Sequence, residues 1–187
     1  MQHQPIQNKH IQFPAKDKNG KPQTITITNK VLGRGAFGQV QFGFDTHDPK
    51  KVYAVKCLDK DKLSINPKNL SNLTNEIVIM SDIRSPYVVA LLNATKTSKN
   101  FYLAMELCNG GDLENFVKQR GGYLREQEAR LILRQIVQGI AAIKSKDVMH
   151  RDLKLPNIMM QFSRLPADIH STNAKFDLNA YIRKLNF

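Results

Sequence analysis

The chain has no tryptophan and only two cysteines in 187 residues. Cys57 and Cys108 stand singly inside apolar stretches, which excludes both a zinc-ligand spacing and a disulfide framework and fits a reducing compartment. Long hydrophobic runs are also missing. Nothing approaches the roughly 18 consecutive apolar residues that a membrane-spanning helix needs. The opening Met1-Gln2-His3-Gln4-Pro5 has no basic region followed by an apolar stretch, so no secretory signal is expected there and the expected location is cytoplasmic. Acid is scarce, with 16 Asp and Glu against 28 Lys and Arg and a formal net charge of +12. The lysines are scattered, however, five of them among the first 30 residues, and no aromatic-interleaved basic stripe appears. The excess invites a nucleic-acid ligand, but its scatter argues against a specific one. It suits loose peripheral contact with acidic lipid or with acidic partners.

What is present is ordinary globular material, 41% hydrophobic and 24% charged, enough for one domain or part of one. No internal repeat or low-complexity tract interrupts it. Residues 1–22 are polar and carry Pro5, Pro14, Gly20 and Pro22, which predicts an extended, flexible leader. Alternation then begins. Thr24-Ile25-Thr26-Ile27-Thr28, Gln39-Val40-Gln41-Phe42-Gly43-Phe44 and Val52-Tyr53-Ala54-Val55-Lys56-Cys57-Leu58 read as three strands separated by turns. Leu70, Leu73, Ile77, Met80 and Ile83 fall three or four apart, which predicts a helix over 70–83. Two further strands are expected over 88–94 and 100–107. A short helix capped by Asp112 follows, running through Gln119. The apolar stripe Ala129, Ile132, Leu133, Ile136, Val137, Ile140, Ile143 predicts a long amphipathic helix over 126–144.

Three sites along this order carry chemistry. Gly33-Arg34-Gly35-Ala36-Phe37-Gly38 has a spacing shared by dinucleotide folds, phosphate loops and plain tight turns. A dinucleotide fingerprint should open a helix. Here the glycines join two strands, and such a hairpin brings backbone N–H groups close to phosphate oxygens. Lys56 lies in an apolar strand two strands' width from that hairpin. A lysine there needs a counter-charge in a half-dry cleft, and Glu76 on the next helix is placed to supply it. The third site is His150-Arg151-Asp152-Leu153-Lys154-Leu155-Pro156-Asn157, between the long helix and the strand-like Ile158-Met159-Met160. Asp152 can orient a hydroxyl and accept its proton, Lys154 can neutralise a transferring phosphate, and Asn157 offers a hard oxygen for magnesium.

With these motifs in this order, from about Val31 to Met160, the chain resembles a eukaryotic protein kinase. The resemblance implies an α+β fold: a five-stranded antiparallel N-lobe with one helix over 23–107, then the first part of a mainly helical C-lobe over 108–162. It implies that Gly33, Gly35 and Gly38 cover the phosphates of ATP and that Val40 and Ala54 form the adenine roof. Lys56 would contact the α- and β-phosphates and pair with Glu76. Met105 would be the gatekeeper, Glu106 and Cys108 would offer hinge backbone groups, and Met159 would be the adenine floor. Asp152, Lys154 and Asn157 would form the catalytic loop, with Asn157 binding Mg2+. Lys154 two residues after Asp152 resembles the serine/threonine-specific loop, although Leu155 departs from the commoner order there. Protein substrates bearing Ser or Thr hydroxyls, with regulatory subunits, are the implied partners. Tyr102 to Leu113 is similar, more narrowly, to the hinge of the autophagy-initiating serine/threonine kinases.

After Met160 the pattern breaks. The family's Asp-Phe-Gly, whose Asp holds magnesium, has no clean counterpart. Lys175-Phe176-Asp177-Leu178-Asn179 is the nearest, with Asp177 in the Asp place, and residues 163–187 otherwise read as an insertion or divergent tail. The expectation is an incomplete catalytic domain, the alternative a non-catalytic kinase-like regulator. The 187-residue chain alone should therefore bind nucleotide weakly and show negligible phosphoryl transfer. Robust transfer that depends on Lys56 in the purified chain would overturn this.

Overall fold

The computed structural model describes residues 8–16 and 22–162. Its centre is one six-stranded antiparallel sheet. The strands are β1 (Lys9–Lys16), β2 (Pro22–Gly35), β3 (Gly38–Asp45), β4 (Val52–Asp59), β5 (Leu91–Lys96) and β6 (Asn100–Glu106). They lie in the spatial order β1-β2-β3-β4-β6-β5. Five of them match the alternating runs, and the sixth corrects the expected count.

Lys9–Lys16 falls in the stretch expected to be a flexible leader, yet it pairs with β2 through registers such as Ile11 to Ile25 and Phe13 to Gln23. Its apolar signal is only Ile11 and Phe13, diluted by Pro14 and two lysines. Phe13 is nonetheless 1% exposed. Pro14 is tolerated because the ladder is irregular between Phe13 and Lys16, where a missing N–H costs least. β1 also lies against β5, so the sheet curls until its two edge strands approach each other.

The curl gives the sheet two unlike faces, because successive side chains on a strand point oppositely. The inner face buries Phe13, Ile25, Ile27, Tyr53, Val55, Tyr102 and Ala104 as one cluster. A polar chain crosses one end of it: Gln23 donates to the Tyr53 hydroxyl at 2.7 Å and accepts from Asn93 at 3.2 Å, joining β2, β4 and β5. The outer face packs Leu58, Leu91 and Leu103 against helices α1 (Lys60–Ser64) and α2 (Pro67–Asp82). α2 starts where the sequence says it should. Asn66 accepts from the N–H of Lys68 at 3.0 Å and Pro67 takes the first helical position, where its missing N–H is no loss. Of the expected stripe, Leu73 is buried and Ile77 and Met80 pack beside it, while Leu70 is exposed. α1 was not expected, since a single turn capped by Asp59 has no periodicity to read.

Beyond β6 come α3 (Leu113–Gln119) and α4 (Glu126–Lys144). Asp112 caps α3 through the N–H of Asn115 at 2.8 Å. α4 lies against the segment before β5, and Gly139 is what allows it: a Cβ there would sit 2.7 Å from the carbonyl oxygen of Tyr87. Lys146 just past α4 also pairs with Asp82 at the end of α2, at 2.8 Å. The α4 stripe stays largely uncovered by described residues, with Leu133, Val137 and Ile140 60%, 55% and 41% exposed. The N-terminus of α4 is firmer. Glu128, 3% exposed, accepts from the backbone N–H of Arg125 at 3.0 Å and from the guanidinium of Arg120 at 2.6 Å.

Candidate functional site

The glycine-rich segment is a β-hairpin, as the strand context predicts. Gly33, Arg34 and Gly35 pair with Val40, Gln39 and Gly38, with Ala36 and Phe37 at the tip. The three glycines differ in what surrounds them. A Cβ on Gly38 would overlap the carbonyl oxygen of Cys57, so its bareness lets β3 and β4 pair closely. A Cβ on Gly33 or Gly35 would meet nothing within 4 Å. Packing within the protein does not explain those two, and the open space beside their backbone suits a close-fitting phosphate.

Register then sets out the next residues. Val40 is paired with Lys56, and Ala54 with Met105. Alternation thus puts Val40, Ala54, Lys56 and Met105 on the face away from the buried Val55 and Tyr53. Lys56 Nζ reaches Glu76 Oε1 of α2 at 2.8 Å, the two side chains being 31% and 45% exposed. At that exposure the pair contributes about 1 kcal/mol or less to stability. Its consequence is geometric: it joins β4 to α2.

At the end of β6 the backbone N–H of Glu106 donates to the carbonyl of Ala90 at 3.0 Å. Among the described residues, no acceptor meets the N–H of Cys108. The Cys108 thiol is pushed up to about 11, by burial first and by the nearby Glu106 carboxylate second. It is therefore a neutral, unreactive group at physiological pH. Cys57 is raised likewise by burial, to about 11.

The catalytic-loop candidates cluster. Asp152 Oδ1 lies 3.0 Å from Lys154 Nζ, and Asn157 Nδ2 donates to Asp152 Oδ2 at 2.8 Å and to its carbonyl at 2.8 Å. With its amide nitrogen so used, Asn157 Oδ1 faces no donor among the described residues. The hydrogen bond from Lys154, then that from Asn157, holds the Asp152 carboxyl below the usual carboxylate range. Arg151 sits at φ 61°, a left-handed conformation that costs a non-glycine residue free energy and here turns the chain between His150 and Asp152. A 3-10 turn, Leu155–Asn157, completes the loop.

Met159 follows, bridged to Asp112. The Ile158-Met159-Met160 segment pairs with the hinge exit instead of forming a longer strand: Gly110 donates to Met160, Met160 to Gly111 and Leu113 to Ile158, each at 2.8 Å. The sequence reading passed over Asn109, treating it as part of a break. Its amide donates to the carbonyl of Phe162 at 2.9 Å and accepts from the Phe162 N–H at 2.9 Å, which locks the hinge exit to the segment leaving the catalytic loop. Gly110 must be bare for that, since a Cβ would overlap the ring of Phe162. An Asn directly before Gly-Gly was the available signal. Asp177 and the remainder of 163–187 lie outside the described residues, and among the described residues no group of three or more His, Cys, Asp or Glu could hold a metal.

This arrangement coincides with known proteins. The model of the protein kinase domain matches residues 26–167. Serine/threonine-protein kinase 33 of Bos taurus is 34% identical over 152 residues, covering 81% of this chain and 30% of that protein. Serine/threonine-protein kinase ULK3 of Homo sapiens is 34% identical over 140 residues, covering 75% and 29%. The crystal structure of Rad53 1–466 in complex with AMP-PNP aligns with a TM-score of 0.65 at 32% identity, over 74% of this chain and 35% of that one. The chain thus spans about 30% of the length of these curated relatives. A glycine hairpin between strands, a lysine paired to a helix glutamate, a loop that clusters Asp152, Lys154 and Asn157, and these matches lead to one conclusion: the chain belongs to the protein kinase family, of the eukaryotic serine/threonine type.

Proposed function

We propose that these residues serve ATP-dependent transfer of the γ-phosphoryl group to Ser or Thr hydroxyls of protein substrates, as the nucleotide lobe and catalytic loop of the enzyme. The observation that carries the reading is the Asp152, Lys154 and Asn157 cluster, a carboxylate kept ionised beside a cation and an oriented amide. In the transfer step Asp152 orients the substrate hydroxyl and takes its proton as the oxygen bonds to the γ-phosphorus and the bond to ADP breaks. Lys154 meets the charge on the transferring group. Lys56 binds the α- and β-phosphates and Glu76 aims it. Gly33, Gly35 and Gly38 let the hairpin backbone approach the phosphates. Val40 and Ala54 above, and Met159 below, enclose adenine beside Met105, with the Glu106 carbonyl and the Cys108 N–H as its polar partners.

Magnesium, when bound, neutralises phosphate charge. Asn157 Oδ1 is the described oxygen suited to it, and a further carboxylate is needed, for which Asp177 is the nearest candidate in sequence. The hinge sequence Tyr102–Leu113 supports a narrower place among the autophagy-initiating kinases, and a cytoplasmic setting fits two unpaired cysteines.

The nucleotide half of this reading is testable in the chain itself. Lys56→Met should weaken binding of a non-hydrolysable ATP analogue about tenfold or more, the loss of one charge-assisted contact, in an equilibrium titration. An unchanged affinity would remove Lys56 from the phosphate site and undo the reading.

A further inference from the structure

The inner face of the curled sheet opens, at the end near the glycine hairpin, into a cavity of about 300 Å³. It lies on the opposite side of β4 from Lys56, because Cys57 lines it and neighbouring side chains on a strand alternate. Its wall is polar and cationic. Lys9 comes from β1, Arg34 from the hairpin and Lys62 from α1, three places far apart in sequence that the curl brings round one opening. None of the three forms an ion pair with a described carboxylate. The one carboxylate on the wall, Asp59, has its Oδ1 committed to the amides of Asp61 and Lys62 at 2.8 and 3.3 Å. Side-chain amides add donors: Gln39, whose Oε1 accepts from Arg34 at 3.3 Å, and Asn100, whose Nδ2 reaches the Tyr102 hydroxyl at 3.3 Å. Positive charge is in excess, hydrogen-bond donors are to hand, and the volume exceeds that of a single phosphate.

We propose that this cavity is a second anion site, taking a small free polyanion with two phosphoryl groups, of the pyrophosphate class. Arg34 and Gly35 belong to the hairpin whose other side faces the nucleotide cleft. A ligand drawn against Arg34 therefore constrains the hairpin from behind, and by reciprocity nucleotide in the cleft alters affinity for the anion. Lys9 makes the site depend on β1, the strand that the curl adds.

The test is an isothermal titration of the 187-residue chain with inorganic pyrophosphate, without magnesium. The expected result is saturable binding that persists in Lys56→Met, which removes the phosphate contact of the cleft, and that adding Lys9→Ala with Lys62→Ala to that variant weakens about tenfold or more. Lys9 and Lys62 are exposed, so an unchanged far-UV circular dichroism spectrum is expected on adding them. Loss of binding in Lys56→Met would place the anion in the nucleotide cleft and overturn the proposal. So would the absence of saturation by about 10 mM. Phosphoserine is the second probe: if it binds tighter than pyrophosphate, the site reads a phosphorylated side chain and the free-polyanion assignment fails. Because Lys56 is tested separately, failure here leaves the nucleotide reading standing, and the reverse holds too.

Discussion

Asp152→Asn should lower phosphoryl transfer to a protein hydroxyl by about 10²- to 10⁴-fold, the range for losing a positioned general base. The measurement is kcat on a chain that contains these residues and shows transfer, beside a titration with an ATP analogue. Analogue affinity should stay within about twofold, because Lys56 and the hairpin are untouched and Asn keeps an oxygen to accept the Asn157 amide. A kcat within about threefold of the parent would remove Asp152 from the proton's path.

The pH profile gives a second check on the same residue. Lys154 and Asn157 hold the Asp152 carboxyl below the usual carboxylate range. A lowered folded-state value keeps the base form present as pH falls through the ordinary carboxylate range. It is lost only as pH drops through that lowered value. An acid limb near neutral pH, if one appears, belongs to another group. Lys154→Ala should move any acid limb due to Asp152 upward, since the hydrogen bond that lowers the carboxyl most is then gone.

The largest stability loss is expected at Glu128→Ala. Glu128 is almost fully buried, and its carboxylate serves the Arg125 amide and the Arg120 guanidinium together. Deleting it leaves a guanidinium 21% exposed, with the ring of Phe116 5.4 Å away and no other described carboxylate paired to it. Stranding one partner of a buried pair costs about 3 kcal/mol or more, and the α4 terminus loses a cap as well. Thermal unfolding should fall by roughly 10 °C. Glu128→Gln, which retains the acceptor for the Arg125 amide, should recover part of that. A shift under about 2 °C for the alanine variant would show that water already compensates Arg120.

The parts of this site legible in the sequence are those whose chemistry is local. Gly33 to Gly38 declare a tight hairpin, Lys56 inside an apolar strand asks for a counter-charge, and Asp152 to Asn157 place three complementary groups within six residues. α4 was plain because seven apolar positions repeat on one face. What escaped depends on partners distant in the chain. Nothing in Lys9–Lys16 announces a strand until Phe13 has Ile25 and Ile27 to pack on. Asn109 looks like a turn residue until Phe162, 53 positions on, supplies both halves of its amide pair. α1 is one turn long and carries no period at all. The glycines also show a limit of motif reading. Gly38 is demanded by the protein's own backbone, whereas no described residue comes within 4 Å of a Cβ placed on Gly33 or Gly35.

The curl of the sheet has a consequence during synthesis. β1 and β2 leave the ribosome before the rest of the sheet, with Ile11, Phe13, Ile25 and Ile27 along one side. Tyr102 and Ala104, which complete their cluster, are translated some seconds later at the usual pace of elongation. Through that interval the row stays wet and the free edge of β1 is open to pairing with any passing strand. Lys9 and Pro14 sit along that edge, and they oppose such pairing until β5 arrives.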